Sequence, residues 1–221
     1  MGEWIEWHRR YDVEAGLAAR LRLVQEEIRQ AIDRCPAGPI TVVSLCAGDG
    51  RDLLGALRDH PRRRDVRARL VELDPELAGR GRARAAELGL DGVELRVADA
   101  GETTAYAGAV PADVVLACGV FGNISDEDVE STVLHLPELC APGATVIWTR
   151  GRFEPDLTPA IRAWFAAAGF DEIGFHAIAG STASVGVDRL AIPPPAFRAG
   201  ARLFTFLEGE ARPSRRAGRV G

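Results

Sequence analysis

Short apolar runs alternate with longer amphipathic segments through most of this 221-residue chain, and this alternation constrains its fold more than any other feature. Strands are predicted at 40–45, 66–73, 93–97, 113–117 and 144–148, of which 40–45 and 113–117 are expected to be buried. Strands that alternate with helices form a mainly parallel sheet with helices on both faces. The chain is therefore expected to be a doubly wound α/β protein, and its length suits one domain.

The helices between these strands are predicted from periodicity and from end signals. Five apolar residues recur at steps of three or four and indicate an amphipathic helix over 13–34, namely Leu17, Leu21, Val24, Ile28 and Ile32. Further helices are predicted at 50–60, 76–88, 125–140 and 158–168. Pro75 suits a first helical turn, and Ser125, which three acidic residues follow, suits a helix N-cap.

The C-terminal third contains the last predicted strands, at 171–178 and 184–191. A further short run at 203–207 is interpreted as a strand or as part of a hairpin. The predicted organisation is an N-terminal helical lid or extension (1–36), an α/β domain (37–210) and a disordered tail (211–221).

The composition argues against several classes of protein. Hydrophobic residues make up 47% of the chain, enough for a sizeable core. No apolar run approaches the roughly 18 residues that a membrane helix needs. The N-terminus, MGEWIEWHRRYD, is charged and aromatic and lacks the apolar centre of a signal peptide. We therefore expect a soluble cytoplasmic protein with no membrane partner.

Charge and cysteine usage narrow the partners further. The net charge is −5, and arginine carries all the positive charge because the chain contains no lysine. An acidic chain is a poor partner for nucleic acid, and the one basic run, Pro61 to Arg69, is interpreted as a solvated loop. No two cysteines have CxxC spacing, so neither a zinc site nor a disulfide framework is expected. The cysteines are Cys35, Cys46, Cys118 and Cys140.

A glycine turn follows the first strand. The stretch VVSLCAGDGRDLL, Val42 to Leu54, closes an apolar run with Gly48 and Gly50 and then opens a helix. Glycine lets the backbone approach a ligand closely, and a helix start offers free N–H groups. Ligands of such sheets bind beyond the carboxyl ends of the strands, so residues directly after the other strands are expected to join this site.

Acidic residues follow the next two strands. Glu72 lies 22 residues after Gly50, close to the ~20 expected of an acid that accepts ribose hydroxyls, although it also suits a surface strand end. Asp99 can accept a hydrogen bond from an adenine amino group, or it belongs to an ordinary turn. Leu73 is either a flat apolar neighbour for the base or one more core leucine.

The turn itself favours S-adenosylmethionine over a dinucleotide. The dinucleotide fingerprint G-x-G-x-x-G/A ends in a small residue, and Leu53 stands at that position here. Asp49 and Asp52 place negative charge where a pyrophosphate would lie. A ligand with an ammonium group and a sulfonium centre tolerates that charge.

The order of these motifs is similar to that of the class I S-adenosylmethionine-dependent methyltransferases. The stretches that carry the resemblance are VVSLCAGDGRDLL, LVELDPEL, VADA, ADVVLACGVFGNI and LPELCAPGATVIWT, over roughly Ile40 to Trp148. The resemblance implies a Rossmann-like, mainly parallel sheet of seven strands with a C-terminal antiparallel hairpin. It also implies S-adenosylmethionine as the cofactor and S-adenosylhomocysteine as the product.

The resemblance also assigns residues to the cofactor. It implies that Glu72 binds the ribose hydroxyls, that Leu73 flanks the adenine and that Asp99 holds its amino group. The glycine turn would face the methionine part, and the segment after the fourth strand would lie beside the methionine and the acceptor. The implied cofactor-binding set is Cys46, Ala47, Gly48, Gly50, Glu72, Leu73, Asp74, Asp99, Ala100, Cys118, Gly119 and Val120.

Two residues depart from the family's first motif, which resembles VLDLGCGTG. Ser44 stands where the family often has an acid, and Cys46 stands where it has the first glycine. We expect Cys46 to take ordinary backbone dihedral angles.

Candidate catalytic residues come from the variable parts of the chain, and they are Tyr11, His8 and Asn123. The N-terminal segment that holds Trp4, Trp7, His8 and Tyr11 is either a lid over the cofactor or a helix that docks its aromatic side chains on the sheet. Asn123 follows the fourth strand and either bonds the acceptor or supports a turn.

Other polar residues are given ordinary roles. Arg150, after the fifth strand, is interpreted as an exposed arginine rather than as the partner of an acidic acceptor. His135 and His176 are interpreted as packing or surface residues. The segment CGVFGNIS is not the [N/D]PP[Y/F] of enzymes that methylate amino groups of nucleic-acid bases, which argues against a nucleic-acid substrate.

The predicted function is methylation of a small-molecule acceptor, on oxygen, nitrogen or carbon, with the rate derived mainly from alignment. An NAD(P)-dependent oxidoreductase and a non-catalytic S-adenosylmethionine-binding subunit are the alternatives. The sequence predicts no metal site and leaves the oligomeric state open, with a homodimer as one option.

Overall fold

Strands and helices alternate along the chain in the computed structural model, which describes residues 15–207. The helices are α1 (Ala15–Arg34), α2 (Arg51–Leu57), α3 (Pro75–Glu87), α4 (Asp126–His135) and α5 (Thr158–Ala167). The strands are β1 (Ile40–Ser44), β2 (Val66–Glu72), β3 (Val93–Val97), β4 (Ala112–Ala117), β5 (Cys140–Gly151), β6 (Phe170–Ala177) and β7 (Ala183–Leu190). Two short 3-10 helices span Thr103–Tyr106 and Leu136–Leu139.

The seven strands form one sheet in the order β3-β2-β1-β4-β5-β7-β6. Strands β1 to β5 run parallel to one another, and β7 is antiparallel to both β5 and β6. Val42 in β1 pairs with Ala68 on one side and Val114 on the other. The strand order therefore reverses at β1, and such a switch point is where ligands bind in doubly wound sheets. The predicted fold class, including the antiparallel C-terminal hairpin, is confirmed.

Each face of the sheet carries its own apolar core, because successive strand residues point to opposite faces. One core joins Ile28 of α1 and Leu54 of α2 to Val42. The other joins Val133 of α4 and Phe165 of α5 to residues such as Trp148 of β5. Burial of each large apolar side chain stabilises the fold by roughly 1.5–3 kcal/mol. The two cores fix all five helices against the sheet and hold its carboxyl edge in place.

Local capping explains where two helices begin. The Asp74 carboxylate accepts from the N–H groups of Glu76 and Leu77, at 2.8 and 3.2 Å, and Pro75 occupies the first turn of α3. The Ser125 hydroxyl accepts from Asp128 N–H at 3.1 Å and caps α4, as its sequence predicts. An aspartate or serine cap stabilises a helix by about 1 kcal/mol.

Several predicted boundaries are wrong, and tertiary contacts explain the differences. Strand β5 begins at Cys140 instead of Ala144, because Cys140 already pairs with Ala112 of β4, before a register shift that spans the predicted turn at 141–143. Helix α4 ends at His135, before a 3-10 turn that holds Pro137 near its start. The 203–207 run forms no strand of the sheet, although Arg202 and Phe206 each make an isolated bridge.

The basic run after α2 is not simply a solvated loop. Arg62 donates to the carbonyl oxygens of Cys35 and Pro36 at 2.6 and 2.7 Å, and it also reaches those of Ile32 and Gly38. The guanidinium thus satisfies carbonyls at the C-terminal end of α1, where a helix leaves them without intrahelical partners. Arg62 holds the α1–β1 connection together.

Helix α1, which falls in the predicted N-terminal extension, packs against the sheet. Its Val24, Ile28 and Ile32 side chains are buried in the core. The predicted lid residues Trp4, Trp7, His8 and Tyr11, and the predicted tail 211–221, lie outside the described residues. Between residues 15 and 207, no helix is both long and apolar enough to cross a membrane.

Candidate functional site

The turn after β1 crosses the carboxyl edge of the sheet and is tied to both neighbouring strands. Leu45 N–H donates to Leu116 O of β4, and Ala47 N–H donates to Val71 O of β2, both at 2.9 Å. These two bonds fix the start of the 45–50 turn directly over the switch point of the sheet. The two bonds therefore hold the turn in one defined shape.

The backbone of this turn is left-handed at Cys46, Gly48 and Gly50, with φ of 53°, 58° and 72°. The expectation that Cys46 takes ordinary dihedral angles is wrong. The chain must reverse at Cys46 so that the next N–H reaches β2, and these long-range bonds outweigh the local preference. For a residue with a Cβ, this conformation costs roughly 1–2 kcal/mol. At Gly50 a Cβ would also lie 2.9 Å from the Leu70 side chain, so that position needs glycine.

Glu72 connects the turn to the end of β2. Its Oε2 accepts from Gly48 N–H at 2.7 Å, and its Oε1 accepts from Asp74 N–H at 2.9 Å. Hydrogen bonds to a charged group stabilise by roughly 1.5–3 kcal/mol each. The carboxylate is therefore held from two sides in a fixed orientation, as a binding site requires.

Leu73 and Asp74, which follow Glu72, have opposite surroundings. Leu73 is 64% exposed at the edge of the sheet, so it is not a core leucine. Asp74 is buried and its carboxylate caps α3. In the structure Asp74 acts on the helix, while Leu73 offers an apolar surface beside Glu72.

Asp99 and Ala100 form the next part of the edge, after β3. Asp99 Oδ1 accepts from Gly101 N–H at 2.8 Å, and Oδ2 lies 3.2 Å from a nitrogen of Arg202. The buried Tyr106 hydroxyl donates to Ala100 O at 2.7 Å and supports this turn from behind. Asp99 is thus both a turn-forming residue and a partly exposed acceptor.

The segment after β4 is a tight, buried turn. Gly119 N–H donates to Thr149 Oγ1 at 2.8 Å, and the Asn123 side-chain amide donates to Gly119 O at 2.7 Å. Val120 is fully buried and Cys118 nearly so. The structure thus gives the Asn123 amide a turn-supporting bond, and its role toward an acceptor stays a prediction.

Both cysteines of the site keep their protons. Burial raises the pKa of the Cys46 thiol well above its usual value, and the nearby Glu72 and Asp99 carboxylates raise it further. Burial likewise raises the pKa of the Cys118 thiol, with a smaller contribution from Asp52. The thiolate is the nucleophilic form of cysteine, so neither residue is suited to covalent catalysis.

The acids of the turn are compensated by arginines. The Asp49 carboxylate accepts from Arg51 Nε and Nη2 at 2.9 and 2.8 Å. Burial lowers the pKa of the Arg20 guanidinium, and the negative charge of Asp52 partly opposes this shift. Repulsion of a pyrophosphate by these acids is therefore weaker than the sequence suggests. The N–H groups of Gly48 and Gly50 are unavailable to a pyrophosphate for a different reason, because they already donate within the protein, to Glu72 and to Ala47 O.

Arg150 is not an exposed arginine. Its side chain is only 10% exposed, donates to Phe121 O and has a nitrogen 3.9 Å from an Asp126 carboxylate oxygen. It thus ties the end of β5 to the turn after β4. Sequence reasoning also missed Thr149 and Arg202, which contact predicted site residues from distant parts of the chain.

The described histidines are engaged away from this edge. His60 lies 3.3 Å from Asp33, and His176 lies 3.0 Å from Glu27. A ring nitrogen of His135 lies 2.7 Å from the Ser131 carbonyl of its own helix. Within residues 15–207, no three His, Cys, Asp or Glu side chains gather as a metal site would require.

Comparison with solved structures places this fold among methyltransferases. Magnesium protoporphyrin IX methyltransferase from Synechocystis PCC 6803, solved with bound SAM (S-adenosylmethionine), is similar with a TM-score of 0.64 and 14% identity over 85% of this chain and 90% of that one. The 1,6-didemethyltoxoflavin-N1-methyltransferase of Burkholderia thailandensis, solved with 1,6-didemethyltoxoflavin and S-adenosylhomocysteine, has a TM-score of 0.64 and 15% identity over 86% and 85%. An RNA methyltransferase from Salinibacter ruber, in complex with S-adenosyl-L-homocysteine, has a TM-score of 0.52 and 22% identity over 80% and 97%.

These similarities, at low identity, concern the fold. No curated protein matches the chain. Residues 13–168, more than half of the sequence, match the family Methyltransf_20, whose description is "Putative methyltransferase". The chain belongs to this family of methyltransferases, and its sheet has the class I topology.

Proposed function

We propose that this protein is an S-adenosylmethionine-dependent methyltransferase that acts on a small-molecule acceptor. The observation that carries the proposal is the fixed carboxylate of Glu72 at the switch point. A carboxylate offers about four acceptor positions, and the N–H groups of Gly48 and Asp74 use two of them. The other two suit the paired hydroxyls of a ribose.

The adjoining residues fit an adenine. Asp99 is an acceptor for an amino group, and Ala100 N–H, which has no acceptor among residues 15–207, is a donor for a ring nitrogen. Adenine presents this pair of groups on one edge. The exposed Leu73 side chain offers an apolar surface to the face of the base.

The glycine turn suits the sulfonium end of the cofactor better than a pyrophosphate. Dinucleotide-binding turns direct backbone N–H groups at the phosphates. Here Gly48 and Gly50 direct theirs at Glu72 and Ala47 O. This use of the N–H groups favours S-adenosylmethionine over NAD(P).

S-adenosylmethionine, when bound, supplies a methyl group on an already activated sulfur. The contribution of this chain is then to bind and orient, since alignment alone can lower a barrier by about 7–11 kcal/mol. The Cys46 and Cys118 thiols are protonated and do not serve as bases, because burial raises the pKa of each. A general base, worth about 10²–10⁴ in rate, is required only where the acceptor must lose a proton.

A small acceptor in the cytoplasm is the form of the function that we favour. Two fold neighbours are named for small molecules, magnesium protoporphyrin IX and 1,6-didemethyltoxoflavin, and this supports the proposal by analogy. The net charge of −5 disfavours the RNA alternative that a third neighbour raises. All four cysteines are free thiols, which is typical of a reducing compartment.

Calorimetric titration of the wild type with S-adenosylhomocysteine, S-adenosylmethionine, NAD and NADP tests the proposal. We expect binding of the two adenosyl ligands and a loss of about 10–100-fold in the Glu72→Ala variant, from one or two charged hydrogen bonds. The matched control is Glu87→Ala, at the exposed C-terminal end of α3, which keeps wild-type affinity. Binding of nicotinamide cofactors alone, or full affinity in Glu72→Ala, refutes the assignment.

The catalytic part of the proposal has its own test. Incubation with methyl-labelled S-adenosylmethionine and a panel of small oxygen, nitrogen and carbon acceptors should yield a labelled product. Tight cofactor binding without turnover on any acceptor would favour the non-catalytic subunit.

A further inference from the structure

A segment near the C-terminus, residues 201–207, crosses the rim of the proposed cofactor site, and we name it the C-terminal strap. Its Ala201 O accepts from Thr103 N–H at 2.9 Å, and its Leu203 N–H donates to Gly101 O at 2.7 Å. Its far end reaches the turn after β4, where Leu207 N–H donates to Asn123 O at 2.9 Å. The strap lies beyond residues 13–168, which define the family match.

The strap is fixed by packing as well as by hydrogen bonds. Leu203 and Phe204 are only 1% exposed. The Thr132 hydroxyl of α4 lies 3.0 Å from Leu203 O and shares its single proton between this carbonyl and Asp128 O, which lies at 2.6 Å. A Cβ on Gly101 would lie 2.3 Å from Phe204 O, so the two backbones are in direct contact. The strap therefore holds any side chain that it carries at a defined place on the rim.

Arg202 is the charged side chain that the strap places beside Asp99. One of its nitrogens lies 3.2 Å from Asp99 Oδ2 and 3.2 Å from Phe204 O, and the other pairs with Glu102. Gly101 N–H meanwhile donates to Asp99 Oδ1. Asp99 Oδ1 is thus held by the backbone of Gly101, and Asp99 Oδ2 is held by the Arg202 side chain of the strap.

We infer that Arg202 is a positioning residue for adenine recognition and that the C-terminal strap is part of the cofactor site. This inference rests on the proposed function. Gly101 N–H alone leaves the Asp99 carboxylate free to rotate about one contact, whereas Arg202 adds a second contact and fixes its plane. The remaining acceptor positions then face a donor at a constant angle, which an adenine amino group supplies.

A residue that orients Asp99 should affect how strongly the site prefers adenine over a related base, and not only how tightly it binds. In S-inosylhomocysteine an oxygen replaces the adenine amino group, so an oriented Asp99 opposes an acceptor with an acceptor. A carboxylate that rotates freely avoids this conflict more easily. Loss of Arg202 should therefore narrow the affinity ratio between S-adenosylhomocysteine and S-inosylhomocysteine.

The test compares wild type, Arg202→Gln and Arg198→Gln by calorimetry with both ligands. Arg198 is the matched control, because it pairs with Glu138 at 2.6 Å in the same part of the chain but does not contact Asp99. We expect Arg202→Gln to narrow the ratio by about five-fold, the equivalent of one exposed ion pair, and Arg198→Gln to preserve it. An equal loss of affinity for both ligands in Arg202→Gln would overturn the inference, since only a structural role then remains.

A double-mutant cycle with Asp99→Asn strengthens the test. If Arg202 acts through Asp99, Arg202→Gln produces no further narrowing of the ratio in the Asp99→Asn background. Additive effects would show that Arg202 acts independently and would overturn the inference. Failure of the proposed function is distinct, because the wild type would then bind neither ligand.

Discussion

A buried carboxylic acid in β7 makes stability depend on pH in a way that one substitution should remove. Asp188 is 2% exposed, and its Oδ2 accepts from Trp148 Nε1 at 2.7 Å. Burial raises the pKa of Asp188 from 3.8 to about 7, an effect that the Trp148 bond partly opposes. Neighbouring Glu172 raises the pKa further, and Arg162 lowers it.

Whether stability rises or falls with pH depends on how many protons the folded and unfolded chains bind. Between about pH 4 and pH 7 the folded state holds a proton on Asp188 that the unfolded state releases, so stability falls as pH rises through this window and levels off above it. At about 1.36 kcal/mol for each pKa unit, the full cost approaches ~4 kcal/mol. Asp188→Asn keeps an acceptor for Trp148 without a charge, so its stability relative to wild type should rise by about 2–3 kcal/mol from pH 5 to pH 8.

Urea unfolding at pH 5, 6, 7 and 8 measures this difference, with Asp171→Asn on the exposed face of β6 as the control. For a domain of this size, the pH 8 advantage corresponds to roughly 5–10 °C in Tm. The control should follow wild type at every pH. Parallel pH profiles for wild type and Asp188→Asn would refute the reasoning.

Three further outcomes follow from the site. Cys46→Gly removes the strain of a left-handed conformation and should raise the free energy of unfolding by up to about 1 kcal/mol in urea melts, because the entropy of glycine in the unfolded chain offsets part of the gain. A clear decrease in the free energy of unfolding would contradict the strain at Cys46. Gly101→Ala should displace Phe204 O, lower the free energy of unfolding by about 2 kcal/mol or more and weaken S-adenosylhomocysteine binding. The control Gly79→Ala, in open space on α3, should be neutral or stabilising, and equal effects of the two variants would contradict the strap geometry. Because burial raises the pKa of both thiols, Cys46 and Cys118 should react with a disulfide reagent at pH 8 much more slowly in the folded than in the unfolded protein, and native labelling as fast as that of the unfolded chain would contradict this.

The turn and the strand ends at the carboxyl edge of the sheet are predictable from the sequence because the relevant signals are local. A strand ends, a chemically distinctive residue follows, and parallel topology brings such residues to one edge of the sheet. Glu72 and Leu73 are found in this way, and so is the turn at Gly48 and Gly50. Their exact hydrogen bonds are not local, since Gly48 and Glu72 are 24 residues apart.

The sequence failed where distant contacts override local preference. Cys46 is left-handed because two strands hold the turn, and Arg150 is buried because the turn after β4 covers it. Arg202 lies 103 residues from Asp99, and nothing in the alternating RLFTF run indicates that partner. The periodicity of a sequence indicates which residues are buried, but it does not indicate which residues they contact.

The central claim is that the carboxyl edge of β1 and β2 holds an adenosyl ligand through Glu72. A crystal structure of the complex with S-adenosylhomocysteine tests it most directly. The account predicts both ribose hydroxyls within hydrogen-bond distance of the Glu72 carboxylate, with the base against Leu73 and its amino group at Asp99. Ligand density elsewhere, or ribose hydroxyls that contact other residues while Glu72 keeps only its bonds to Gly48 and Asp74, would contradict it.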